Sequence, residues 1–190
     1  MAAPAAAAPA PAFPYPCRGA CAPEFAADPC AGRLAGARRA EAIDMAWERG
    51  AGAARRLFPG GARGTDFARV CADAGLTVVR GGAERAAGRL FFAEYLPKKR
   101  LVVVNTPSLR MWADHHGVGL GTAVDMALCH EYFHHLEWTR LGLTSLALDI
   151  PLLRVGPIRV GRVRFRSLSE IGAYGFTHEC FHPSSEGVPQ

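Results

Sequence analysis

The chain has 190 residues, 22 of them Lys or Arg and 17 Asp or Glu, for a formal net charge of +5. With 49% hydrophobic and 21% charged residues it carries enough apolar side chain for a core, which excludes a wholly disordered chain, a collagen-like repeat and a coiled coil. The longest apolar stretches, such as Leu141 to Leu148, fall short of the roughly 20 residues that cross a bilayer, so no membrane partner is expected.

Residues 1–33 are rich in Ala, Pro and Gly and read as a disordered tail. The first basic residue is Arg18 and prolines recur every few positions, unlike a secretory signal, so a cytoplasmic location with reduced thiols is expected. Cys17, Cys21 and Cys30 lack a nearby fourth ligand for a metal cluster.

The folded domain is expected over 34–182, with 183–190 a second tail. Leu34 to Phe58 reads as a helix ended by Pro59-Gly60-Gly61, and Asp66 precedes a short second helix that Gly75 closes. Leu76 to Arg80, Arg89 to Tyr95 and Arg100 to Asn105 are rich in Val, Leu, Phe and Tyr and read as strands, the last two close enough for a hairpin. A helical turn at Pro107 to Trp112 and a Gly-containing linker lead to Thr122, the expected N-cap of a long helix from Ala123 to about Leu141. Gly142 is its natural stop. Arg159 to Arg166 alternates Arg with Val and Phe around Gly161, as a bulged exposed strand does, and Ser167 to Glu170 opens a final helix that runs to about Phe181. The layout is α+β: a short, mainly antiparallel sheet with helices before and after it.

The Arg count, 20 against two Lys, accompanies heavy Ala and Gly usage and is weak support for nucleic-acid binding. Its distribution is more informative: six Arg and one Asp fall between Arg140 and Arg166, and the rest of the chain is neutral. That basic arm, 154–166, is either a solvated strand face or a surface that steers an acidic partner.

Within the long helix stands Cys129-His130-Glu131-Tyr132-Phe133-His134-His135, which contains HExxH. Four helical residues advance about 400°, so His130 and His134 share a face one turn apart and can hold one metal ion, with Glu131 beside them as a base. A random arrangement of this composition yields the motif with a probability of roughly 0.01. Catalytic zinc takes three protein ligands and an open position. Among His115, His116, His135, Glu137, Glu170, His178, Glu179 and His182, Glu170 is the best third ligand. It lies in the first turn of the last helix, where the dipole favours a carboxylate, and small residues at 172, 173 and 175 allow a neighbouring helix to approach closely. His135 and Glu137 are expected to turn away from the paired histidines. His178 and His182, with Cys180 between, are a candidate second metal pair.

A helical pair, a sheet ending in Val102 to Asn105, a helix bearing HEYFHHLE and a later helix with Glu170, Ala173 and Phe176 at E-x-x-A-x-x-F spacing together resemble the ImmA/IrrE-type zinc metallopeptidases of bacteria over about Asp66 to Phe181. The resemblance implies a small zincin-like domain with the sheet packed on the HExxH helix. It also implies a gluzincin-like site with one zinc per chain on His130, His134 and Glu170, and Glu131 as general base. The implied partner is a protein or peptide substrate, such as a transcriptional repressor. The sequence shows no helix-turn-helix in residues 1–60, so direct nucleic-acid binding is not expected. Tyr174, one turn beyond Glu170, is placed to support a ligand or touch substrate. Tyr174, His178 and His116 are candidate oxyanion donors. Leu101 to Val104 is either an exposed edge that pairs with an extended substrate or a core strand. The alternative function is a non-catalytic, zinc-stabilised regulatory module that binds a protein partner or DNA through residues 154–166.

Overall fold

The computed structural model describes residues 16–34, 36–81 and 91–182. Residues 1–15, the expected tail at 183–190 and the start of the expected strand at 89–90 lie outside the described residues. The architecture is α+β, with helices α1 (Ala22–Ala26), α2 (Ala37–Leu57), α3 (Phe67–Asp73), α4 (Thr106–His116), α5 (Leu120–Leu136) and α6 (Arg166–Phe181). Strands β1 (Thr77–Gly81), β2 (Ala93–Leu96) and β3 (Leu101–Asn105) form one sheet, and β4 (Leu153–Val155) and β5 (Ile158–Val160) a separate hairpin. Among the described residues no helix is long and apolar enough to cross a membrane.

The expected tail is corrected in its second half. Residues 16–34 fold onto α2 and α6, with Cys21, Phe25 and Leu34 buried beside Phe165, Leu168 and Ile171. Phe25 stacks on Phe165 at 5.9 Å, and Arg18 pairs with Asp44 at 2.8 Å and Glu48 at 2.6 Å on α2. Three well-spaced apolar anchors suffice where the intervening Ala and Pro contribute little burial.

Two of the three ladders are antiparallel: β2 with β3, joined by the turn at Pro97–Lys99, and β4 with β5. The third, β1 with β3, is parallel, and the strand order is β1-β3-β2. Leu101 to Val104 is therefore the centre of the sheet, with Val102 and Val104 fully buried, and is not an edge open to substrate. That edge is β2. Asn105 N donates to Phe92 O at 2.8 Å, so Phe92, Glu94 and Leu96 bond to β3 while the backbone groups of Ala93 and Tyr95 face outward.

Helix α5 is covered on nearly all sides, by α3, α4, α6 and the sheet, and Leu128, Cys129 and Phe133 are inaccessible. It starts at Leu120 after Gly119, one turn before the expected Thr122 cap, and continues through a π-helical turn, Glu137–Leu141, to Gly142 at φ 75°. Helix α4 runs on to His116, so His115 and His116 end a helix and do not lie in a loop.

Helix α6 lies against α2 through glycines, as the small residues at 172 and 175 suggested. A Cβ on Gly50 would overlap the carbonyl of Gly172, and one on Gly175 would overlap that of Trp47. Overpacking costs about 1–3 kcal/mol where side chains can yield. A backbone carbonyl yields less, so Gly50→Ala is expected to cost about 3 kcal/mol and lower the melting midpoint by roughly 6–12 °C, read by thermal circular dichroism.

Candidate metal centre

The i, i+4 spacing on α5 brings the rings of His130 and His134 to 5.0 Å between centroids. Glu170, on α6, faces both: its Oε2 is 3.2 Å from His130 Nε2 and its Oε1 is 3.5 Å from His134 Nε2. One donor atom from each lies within 4.8 Å of the others, and among the described residues no other trio of His, Cys, Asp or Glu converges in this way. Neither Cys17, Cys21 and Cys30 nor His178, Cys180 and His182 forms such a group, and all six cysteines are free. Cys180 points into the core, and His182 Nδ1 lies 3.2 Å from an Arg63 nitrogen.

Two imidazole nitrogens and a carboxylate match a divalent ion of zinc's ligand preference, and the arrangement leaves an open side. The Glu170 side chain is 42% exposed, and the cleft above it holds about 380 Å³, walled by β2, the π-helical turn and the segment leading into α6. Glu170 stands in the second turn of α6, since the helix begins at Arg166 and not near Ser167 to Glu170; the helix dipole therefore contributes less at this position than the sequence suggested. The close α2–α6 crossing two residues later fixes its position instead.

Glu131 is buried, and its Oε2 accepts a hydrogen bond from the outward-facing Tyr95 N–H of β2 at 2.8 Å. Burial raises the proton affinity of Glu131, against the pull of His130 and His134, and the Glu170 charge raises it further. Desolvation opposes charge on His134, but Glu170, Glu137 and Glu131 outweigh it and hold the imidazole well above its ordinary value. Desolvation likewise opposes charge on Glu170, and the two histidines more than offset it, keeping the carboxyl well below its usual range.

Glu137 is the residue that sequence reasoning missed. Far from turning away, it sits behind His134, with Oε2 3.2 Å from His134 Nδ1. Its Oε1 accepts from Thr144 N at 2.7 Å and Ser169 Oγ at 3.1 Å, and the residue is fully enclosed. The signal was present: seven residues after His130 is about 700°, within roughly 20° of two whole turns. A carboxylate on the second ring nitrogen fixes the tautomer that presents Nε2 to a metal. Glu137→Gln, which turns that acceptor into a donor, is expected to weaken metal affinity by about 10–100-fold in competition with a chromophoric chelator. His135 does turn away, with Nδ1 3.0 Å from the Tyr95 hydroxyl.

Tyr174 lies beside the trio, its ring 5.4 Å from that of His130, and is mostly buried. Burial, with the negative charges of Glu24 and Glu170 nearby, pushes the phenol's proton affinity up. A second cavity of about 240 Å³ behind the trio is lined by Tyr174, His130, Phe92 and Pro16, the first described residue. His116 packs on Trp112 and His178 on Trp47, and neither lines either cavity. The arginines of the arm divide: Arg154 and Arg159 lie on the exposed hairpin, while Arg164 and Arg166 line the main cleft. No protein-family model, no curated protein and no solved structure matches this chain.

Proposed function

We propose that the protein is a zinc-dependent peptidase of the ImmA/IrrE type, holding one zinc ion on His130, His134 and Glu170 and hydrolysing a peptide bond in a protein substrate such as a repressor. The observation that carries this reading is the Glu170 carboxylate meeting both Nε2 atoms beside a buried acid that is not itself one of the trio. When bound, zinc would supply Lewis acidity, lowering the pKa of a bound water toward about 7 and polarising a carbonyl.

The chain's own residues supply the rest. Glu131 is oriented through Oε2 by Tyr95 N–H, which leaves Oε1 to take a proton from water and return it to the leaving amine. Glu137 keeps His134 in the tautomer that binds metal. The outward-facing backbone groups of Ala93, with the carbonyl of Tyr95, offer an extended substrate an antiparallel partner along the cleft wall.

The competing reading, a zinc-stabilised module without catalysis, gives the Glu131 carboxylate and the open cleft no task. Metal analysis of purified protein tests the first half of the proposal: zinc at about one per chain is expected. Proteolysis of a peptide mixture by that protein, abolished by a chelator and restored by zinc, tests the second. A metal-free protein, or zinc without proteolysis, overturns the peptidase reading.

A further inference from the structure

The cleft wall leading into α6 alternates strictly. Val163 and Phe165 are buried, so Arg164 and Arg166 are exposed, and both line the cleft that also holds Glu131, His134 and Glu170. The segment is anchored, not loose: Val163 N donates to Ile150 O at 2.8 Å and Phe165 N to Ser145 O at 2.9 Å. Arg164 Nε donates to Ser145 Oγ at 3.3 Å, which orients its guanidinium and leaves the terminal nitrogens for a ligand.

Among the described residues, the ion pairs of this region join Arg159 and Arg162 to Asp149, and none includes Arg164 or Arg166. Arg166 is also the first residue of α6, the helix end at which the dipole disfavours a cation, so the helix gains nothing from it there. Two arginines on the wall of the cleft, Arg164 oriented by Ser145 and neither in an ion pair among the described residues, suit a planar two-oxygen anion bound through paired N–H donors.

We infer that Arg164 and Arg166 form an anion subsite, and that the preferred substrate is a peptide carrying a carboxylate near the scissile bond, supplied by an Asp or Glu side chain or by a free C-terminus. The inference rests on the peptidase reading for the presence of a peptide in the cleft.

The test uses the full chain as zinc-loaded Glu131→Gln, to hold peptides uncleaved, and measures binding by fluorescence anisotropy. The probes are labelled decapeptides: a neutral parent with both ends blocked, its variants with Glu, Gln or Lys scanned through the positions, and the parent with a free C-terminus. Binding about tenfold tighter for Glu than for Gln at one position is expected if the side chain is the source, and for the unblocked parent if the C-terminus is. In R164Q/R166Q the preference should fall to within about twofold, and R164E/R166E should favour Lys peptides. Zinc content and melting midpoint check that these exposed substitutions leave the fold intact. Equal binding of Glu, Gln and unblocked peptides, a preference that survives R164Q/R166Q, or no binding of any peptide at millimolar concentration overturns the inference. The wild-type protein separates the two claims: charge-selective binding without cleavage removes the peptidase reading alone, and cleavage without charge preference removes the subsite alone.

Discussion

Glu131→Gln is expected to lower peptide hydrolysis by about 10²–10⁴-fold while leaving zinc at about one per chain. The amide keeps the shape of the side chain and an oxygen to accept the Tyr95 N–H, so β2 should stay where it is. What disappears is the capacity to take a proton. Stability should not fall. In the metal-free protein burial raises the folded-state pKa of Glu131, so ionisation of this group works against folding as pH rises past its usual value, and a neutral isostere removes that penalty; the melting comparison is therefore made on the metal-free forms. A melting midpoint equal to or above wild type, normal zinc and lost turnover would together identify Glu131 as the base. Retained turnover would mean that another group does the proton transfer, and the peptidase mechanism would have to be redrawn.

Glu170→Ala is expected to empty the site. Two imidazoles one turn apart bind zinc far less tightly than the same pair with a carboxylate, and the loss should exceed the roughly 100-fold upper range for removing an outer partner. After dialysis against a weak chelator the variant should hold almost no zinc where the wild type holds about one per chain. The fold should survive, because Glu170 is partly open to the cleft and the neighbouring α6 residues Leu168, Ile171 and Ala173 carry the packing. A variant that retains zinc with wild-type affinity would exclude Glu170 as a ligand.

The local parts of this molecule were legible in the sequence because their determinants are local. His130 and His134 meet through helical spacing alone, and Glu170 was reachable because few other acids or imidazoles lie on an apolar, small-residue helix. The order of the strands was not legible. The central position of β3 depends on a parallel partner twenty-four residues earlier, and nothing in Leu101 to Asn105 distinguishes a strand with one neighbour from a strand with two. Residues 16–34 were misread for a related reason. Composition averages over a window, whereas Cys21, Phe25 and Leu34 act one at a time, each finding a place against α2 and α6 that exists only once those helices have crossed. Glu137 was lost to a misjudged angle and not to any lack of signal.

The course of the chain at Pro16 has a practical side. The described backbone begins on a wall of the cavity behind the two imidazoles, and by covalent geometry alone fifteen residues span at most about 50 Å. A polyhistidine purification tag fused ahead of Met1 is therefore held by the chain within about that distance of the cavity wall. Its imidazoles are metal ligands of the same kind as His130 and His134, so stoichiometry and affinity should be measured only after the tag has been cut away.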